Sequence, residues 1–137
     1  MTMAEAPLTL FGLAQRGLSA QLVRMNAAAS NLANAGTVSA SAESAYRPIR
    51  PVFAAALDRQ SGLATVDVRA VARSDAEAIR QHDPDHPLAD ANGDVWTAPV
   101  DESAEMVEML DSSRQYQNLV EALSTAKQLM LETLRIK

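Results

Sequence analysis

The sequence predicts an α+β protein, with long N- and C-terminal helices pairing as an antiparallel coiled coil and a small β-rich middle domain between them. Three observations predict it. Near both ends, apolar residues recur at alternating steps of three and four. Neither stretch holds an interior proline, since Pro7 precedes one and Pro99 the other. Between them the period shortens toward two, and glycine and proline turn signals gather. The expected organisation is an N-terminal helical segment over 1–36, a connector over 37–45, a β-rich unit over 46–99 and a C-terminal helical segment over 100–137.

The first helix is expected from about Leu8 to Asn34. Leu18, Leu22, Met25, Ala29 and Leu32 form its apolar seam, which Phe11 and Ala14 extend backward. Thr9 can cap its start and Gly36 can stop it. Its end, "NAAASNLANAGT", holds Asn26, Asn31 and Asn34 among alanines. Asparagine is a poor interior helix residue because its side chain competes for backbone hydrogen bonds. In helical projection Asn26, Ser30 and Asn34 share a face, with Asn31 one residue aside. Buried asparagine sets register at a cost in stability, so these residues are expected to fix how the helix meets a neighbour.

The connector "TVSASAESAY" is small and polar, which predicts flexibility. "YRPIRPVFAAAL", with two prolines, reads as an edge strand, and "LATVDVRAV" alternates as a half-buried strand. Ser61-Gly62 marks a turn between them. "HDPDHP" reads as a rigid loop. Asn92-Gly93 is a two-residue hairpin signal, with Trp96 on the return strand.

From Asp101 onward Met106, Met109, Ser113, Tyr116, Val120, Leu123, Lys127, Met130 and Leu134 step by three and four. Asp101, Glu102, Glu105 and Glu108 crowd the start, where the helix dipole favours anions. Such a helix spans about 50 Å.

Composition narrows the function. The net charge of -5 argues against nonspecific nucleic-acid binding. The charge is uneven: +2 over residues 1–50, -4 over 51–100 and -3 over 101–137, so the two ends attract modestly. There is no cysteine, and therefore no disulfide, thiol nucleophile or thiolate metal site. No apolar run reaches membrane-spanning length, so no membrane insertion is expected. No cleaved secretion signal is evident. That leaves a cytoplasmic protein or one exported by another route.

The candidate chemistry is thin. His82, Asp83, Asp85 and His86 could offer metal ligands, but a proline-braced loop explains them more simply. Asp90, Asn92 and Asp94 open like a calcium loop, yet Val95 stands where that loop needs glycine and Asp101 where it needs glutamate. No serine lies in a nucleophile elbow, and no glycine-rich phosphate loop is present. The expectation is a non-enzyme with no metal or cofactor. An assembly subunit and a freestanding helical adaptor or secretion chaperone both fit this composition.

Three blocks carry a family resemblance. "GLSAQLVRMNAAASNLANAGT" (17–37) is similar to the N-terminal signature of the flagellar basal-body rod proteins. "HPLADANGDVWTAPVDESAEMVEM" (86–109) and "SRQYQNLVEALSTAKQLMLETL" (113–134) resemble the family's proximal-rod members. Two departures stand out: Asp94 follows Gly93 where many relatives have tyrosine, and Asn118 directly follows Gln117, out of register. The resemblance implies a subunit exported through the flagellar type III apparatus without a cleaved signal peptide. It implies helical polymerisation with other copies and other rod proteins into the hollow periplasmic drive shaft of the basal body. The terminal helices would form its inner coiled-coil layer. The implied assembly interface comprises Leu18, Leu22, Met25, Asn26, Asn31, Leu32 and Asn34, with Met106, Met109, Tyr116, Val120, Leu123, Met130 and Leu134 from the C-terminal helix.

Overall fold

A computed structural model describes residues 9–136, so Leu8, the expected start of the first helix, lies outside the described residues. Helix α1 runs over Leu10–Asn34. Thr9 caps it, its side-chain oxygen accepting from the Gly12 amide at 3.1 Å. The helix stops where Ala35 turns extended and Gly36 follows at φ 72°. Helix α2 runs over Glu102–Arg135 and is capped by Asp101, which accepts from the Ala104 amide at 3.1 Å. Glu102 and Glu105 sit in its first turn and Arg135 in its last, matching the dipole at both ends.

Between the helices lie strands β1 (Val38–Ser39), β2 (Ile49–Leu57), β3 (Ala64–Arg73), β4 (Ile79–His82) and β5 (Asp94–Thr97). They form two sheets rather than one. β2 and β3 make an antiparallel hairpin, with a register shift at Val52/Phe53. Its turn closes through the Asp58 amide to the Leu63 carbonyl at 2.9 Å and the Gly62 amide to the Asp58 carbonyl at 2.8 Å. The second sheet has the order β1-β5-β4, all antiparallel. Val95, at 1% exposure, is its best-buried side chain.

Two expectations for this region change. The connector is tied down: Val38 and Ser39 pair with β5, and Ser41 and Ser44 exchange backbone-to-hydroxyl bonds at 3.3 and 3.2 Å. Asn92-Gly93 does not join two adjacent strands. The partner of β5 is β4, across the loop 83–93, because the Asp90 carboxylate takes the amides of Asn92 and Asp94 at 2.8 and 2.9 Å and holds the chain in a turn.

The helices pack antiparallel. Asn31 meets Glu105, Arg24 meets Glu108 and Asp111, and Gly17 lies against Leu119, so the register is constant along the contact. The residues buried on α1 are Ala20, Ala27, Ala28 and Asn31, and on α2 Glu105 and Ser112. This buried line lies about one position aside from the seam expected from the large apolar residues. Small side chains let the helix axes approach closely. A Cβ on Gly17 would stand 3.2 Å from Leu119 Cδ1, a distance few real contacts tolerate. The β2–β3 hairpin covers another flank of α1, where β3 lies beside Gly12, Gln15, Arg16, Ser19 and Val23. Arg16 ties that contact to Asp67 at 3.0 Å.

Candidate assembly surface and its polar core

Asn31 is 0% exposed and uses its entire hydrogen-bonding capacity. Its Nδ2 donates to the Ile49 carbonyl at 3.0 Å and to Glu105 Oε2 at 3.1 Å. Its Oδ1 accepts from the Ile49 amide at 2.8 Å and from the Tyr46 hydroxyl at 2.8 Å. The side-chain amide thus engages both backbone groups of Ile49 as a neighbouring strand would. A full set of partners makes a buried polar group tolerable here.

Glu105 is 1% exposed and completes the cluster. Arg50 Nη1 donates to its Oε2 at 2.8 Å, and Arg50 Nη2 donates to its Oε1 in a bidentate pair. Burial pushes the Glu105 carboxyl up, but the hydrogen bonds from Arg50 and Asn31 and the Arg50 charge outweigh it and hold the group below the ordinary glutamate value. One turn away, Arg24 forms a second bidentate pair with Glu108, at 2.7 and 3.0 Å, and reaches Asp111 at 3.0 Å. Hydrogen bonding to Glu108 raises the Arg24 pKa above its already high value, so the guanidinium stays charged.

The three asparagines therefore do different things. Asn31 is the buried hub. Asn34 donates to the Ser30 carbonyl at 2.8 Å, and its own carbonyl accepts from the Thr37 hydroxyl at 2.7 Å, finishing the helix end. Asn26 is exposed.

The large apolar residues divide between two environments. Met109, Tyr116 and Leu123 of α2 are half-buried, and Leu123 lines an apolar cleft of about 340 Å³ with Leu10, Leu13, Gly17, Val66 and Leu119. Leu18, Met25 and Leu32 of α1 are half-buried as well, whereas Leu22 is 43% exposed. On α2, Met106, Leu110 and Val120 are exposed, as are Met130 and Leu134 farther along. At 100° per residue, Leu18, Leu22 and Met25 project from the same flank of the antiparallel pair as Met106, Leu110 and Val120. That flank faces away from the β2–β3 hairpin. Arg16 and Arg24 are the only charged residues on α1, and both are engaged within the chain, so the flank's α1 half is uncharged.

Arg50 and Glu105 were missed from sequence as partners, as was Tyr46, because Glu105 reads as an ordinary dipole-matching acid in a first helical turn. The usable signal was Asn31 itself, a polar residue beside the buried alanines of a long helix. His82 Nδ1 lies 3.0 Å from Asp94 Oδ1, and among the described residues no group of three or more His, Asp or Glu is placed to hold a metal ion. No described helix is long and apolar enough to cross a membrane.

The helix pair is closed by small residues and leaves an apolar flank uncovered, the kind of surface that marks an interaction site. Residues 13–40 match the family described as flagella basal body rod protein, and residues 91–136 match the C-terminal family of the flagellar basal body rod FlgEFG proteins. The class is thus a structural component of the flagellar rod, not an enzyme. The chain is 43% identical over 133 residues to the flagellar basal-body rod protein FlgC of Salmonella typhimurium, covering 96% of this chain and 98% of that relative. It is 42% identical over 133 residues to FlgC of Escherichia coli O157:H7, with the same coverage, and 28% identical over 123 residues to FlgC of Agrobacterium fabrum, covering 89% and 88%. The chain belongs to the FlgC family of flagellar basal-body rod proteins, which places it in the flagellar basal body among other rod components.

Proposed function

We propose that this chain polymerises helically, with further copies of itself and with other rod proteins, into a hollow shaft that transmits torque from motor to hook. The near full-length match to the Salmonella relative carries this reading, and the uncovered apolar flank supplies a physical means. In this account α1 and α2 form the inner layer as a coiled coil, and residues 46–99 project outward as the side domain. Leu18, Leu22, Met25, Asn26 and Leu32 meet neighbouring subunits together with Met106, Val120, Met130 and Leu134. Asn31, Asn34, Met109, Tyr116 and Leu123 act indirectly, by fixing how the two helices of one chain pair.

The shaft sits in the periplasm, and the chain reaches it through the flagellar type III export apparatus without a cleaved signal peptide. The absence of cysteine suits a chain that must pass unfolded and pick up no cross-links on the way. The test is removal of this chain from its own bacterium. Non-motile cells whose basal bodies lack a rod, restored by re-expression, are the expected result. Motile cells with complete rods would overturn the reading.

A further inference from the structure

The β2–β3 hairpin packs against α1, yet the best-buried charge it neutralises belongs to α2. Glu105 takes its partners from both other elements: Arg50 from β2 and Asn31 from α1. Asn31 in turn holds both backbone groups of Ile49, at the start of β2. Each element therefore supplies what another needs. Undocking the hairpin leaves Glu105 in the helix contact without its cation. Separating the helices removes the carboxylate from Arg50 and a hydrogen-bond acceptor from Asn31.

We propose that Asn31, Arg50 and Glu105 form a conformational interlock, which makes docking of the outer hairpin and pairing of the two terminal helices a single event. The physical ground is the asymmetry of buried charge. Glu105 is buried while its partner Arg50 is half-exposed, and a buried carboxylate stripped of its cation is strongly unfavourable. A chain with one connection made and the other broken is thus less favourable than either the fully docked or the fully open chain. The interlock gives the side domain a fixed direction relative to the helix pair, which a subunit transmitting load in a shaft requires. The inference concerns the single chain and does not depend on the partners proposed above.

Because the chain has no cysteine, introduced pairs can carry spin labels without background. One pair, Ala33→Cys with Ser103→Cys, reports helix pairing. A second, Ala29→Cys with Gln60→Cys, reports the hairpin against α1, the helix it packs on. All four positions are exposed. Distance distributions are followed through a urea titration begun in a stabilising osmolyte, so that both docked states are populated at its start.

In the parent chain the two transitions should coincide. Arg50→Ala, which alters neither helix, should lower the helix-pairing equilibrium at least about tenfold, because it strands Glu105. Adding Glu105→Leu to Arg50→Ala removes the stranded charge; it should restore helix pairing while leaving the hairpin loose. Asn31→Ala combined with Arg50→Ala should cost less than the sum of the two single changes, as for residues of one network. Separate transitions in the parent chain would overturn the interlock. So would an Arg50→Ala chain whose helix-pairing transition is unmoved, or a failure of Glu105→Leu to restore it.

Discussion

Asn31→Asp should destabilise the folded chain by about 3–5 kcal/mol at neutral pH, the range seen when a buried charged site is left uncompensated. The substitution keeps shape and volume, so packing loss cannot account for the effect. It removes both donors, orphaning the Ile49 carbonyl, and places a second carboxylate against Glu105 at a site that is 0% exposed. Against a typical total stability of about 5–15 kcal/mol, that is enough to unfold much of the population.

The pH dependence has a definite sign. Burial and the Glu105 charge both raise the pKa of the introduced carboxyl, so folding of the variant favours its protonated form, and the deficit narrows as pH falls. The parent chain behaves oppositely. Glu105 is held below its ordinary value of 4.5, so its stabilising contribution is full above that pH and is lost as pH falls through the lower folded value. Urea unfolding of both chains across this range, followed by circular dichroism, reads the two slopes. A deficit under about 1 kcal/mol, or one independent of pH, would mean that the Asn31 network does not hold the helices and hairpin together.

The second large effect is on assembly rather than stability. Leu22→Glu with Leu110→Glu should abolish motility and leave basal bodies without a completed rod, while the helicity of the purified chain is unchanged. Both side chains are already exposed in the single subunit, at 43% and 66%, so charging them costs the lone chain little. Each would carry an unpaired charge into a dry contact, and two such charges weaken binding by several kcal/mol, well over a hundredfold. Normal swarming with intact rods would show that this flank does not meet a neighbour. Lost helicity would show that it supports the fold instead.

Much of this architecture was legible in the sequence. The two helices, the Thr9 cap, the Gly36 stop and strands β2 and β3 follow from period, cap chemistry and turn residues, all of them local signals. The contact between the helices was not legible to the residue. Its apolar stripe, Leu18, Leu22 and Met25, is present in the sequence as expected, but the chain's own second helix takes the line of small residues beside it. Hydrophobic periodicity ranks faces by side-chain size, whereas close packing within one chain selects Gly17, Ala20 and Ala27, which let the axes approach. Strand β4 was missed because "IRQH" is short and mostly polar, and its pairing depends on a partner across the loop 83–93. Arg50 and Glu105 lie 55 residues apart in sequence and come together only through the docking of three elements.

The central claim is that the uncovered flank of the helix pair is where subunits meet. It is tested most directly by cross-linking in isolated basal bodies, using Leu22→Cys, Leu110→Cys and, on the hairpin tip, Gln60→Cys in separate strains. With a maleimide-benzophenone, which couples to the single cysteine and on illumination inserts into any nearby C–H bond, Leu22→Cys and Leu110→Cys should give bands containing this chain joined to a neighbouring rod subunit, and they should give none in the dilute purified chain. A Leu22→Cys chain that stays monomeric in complete basal bodies, while Gln60→Cys cross-links freely, would contradict the account and place the subunit contact on the side domain.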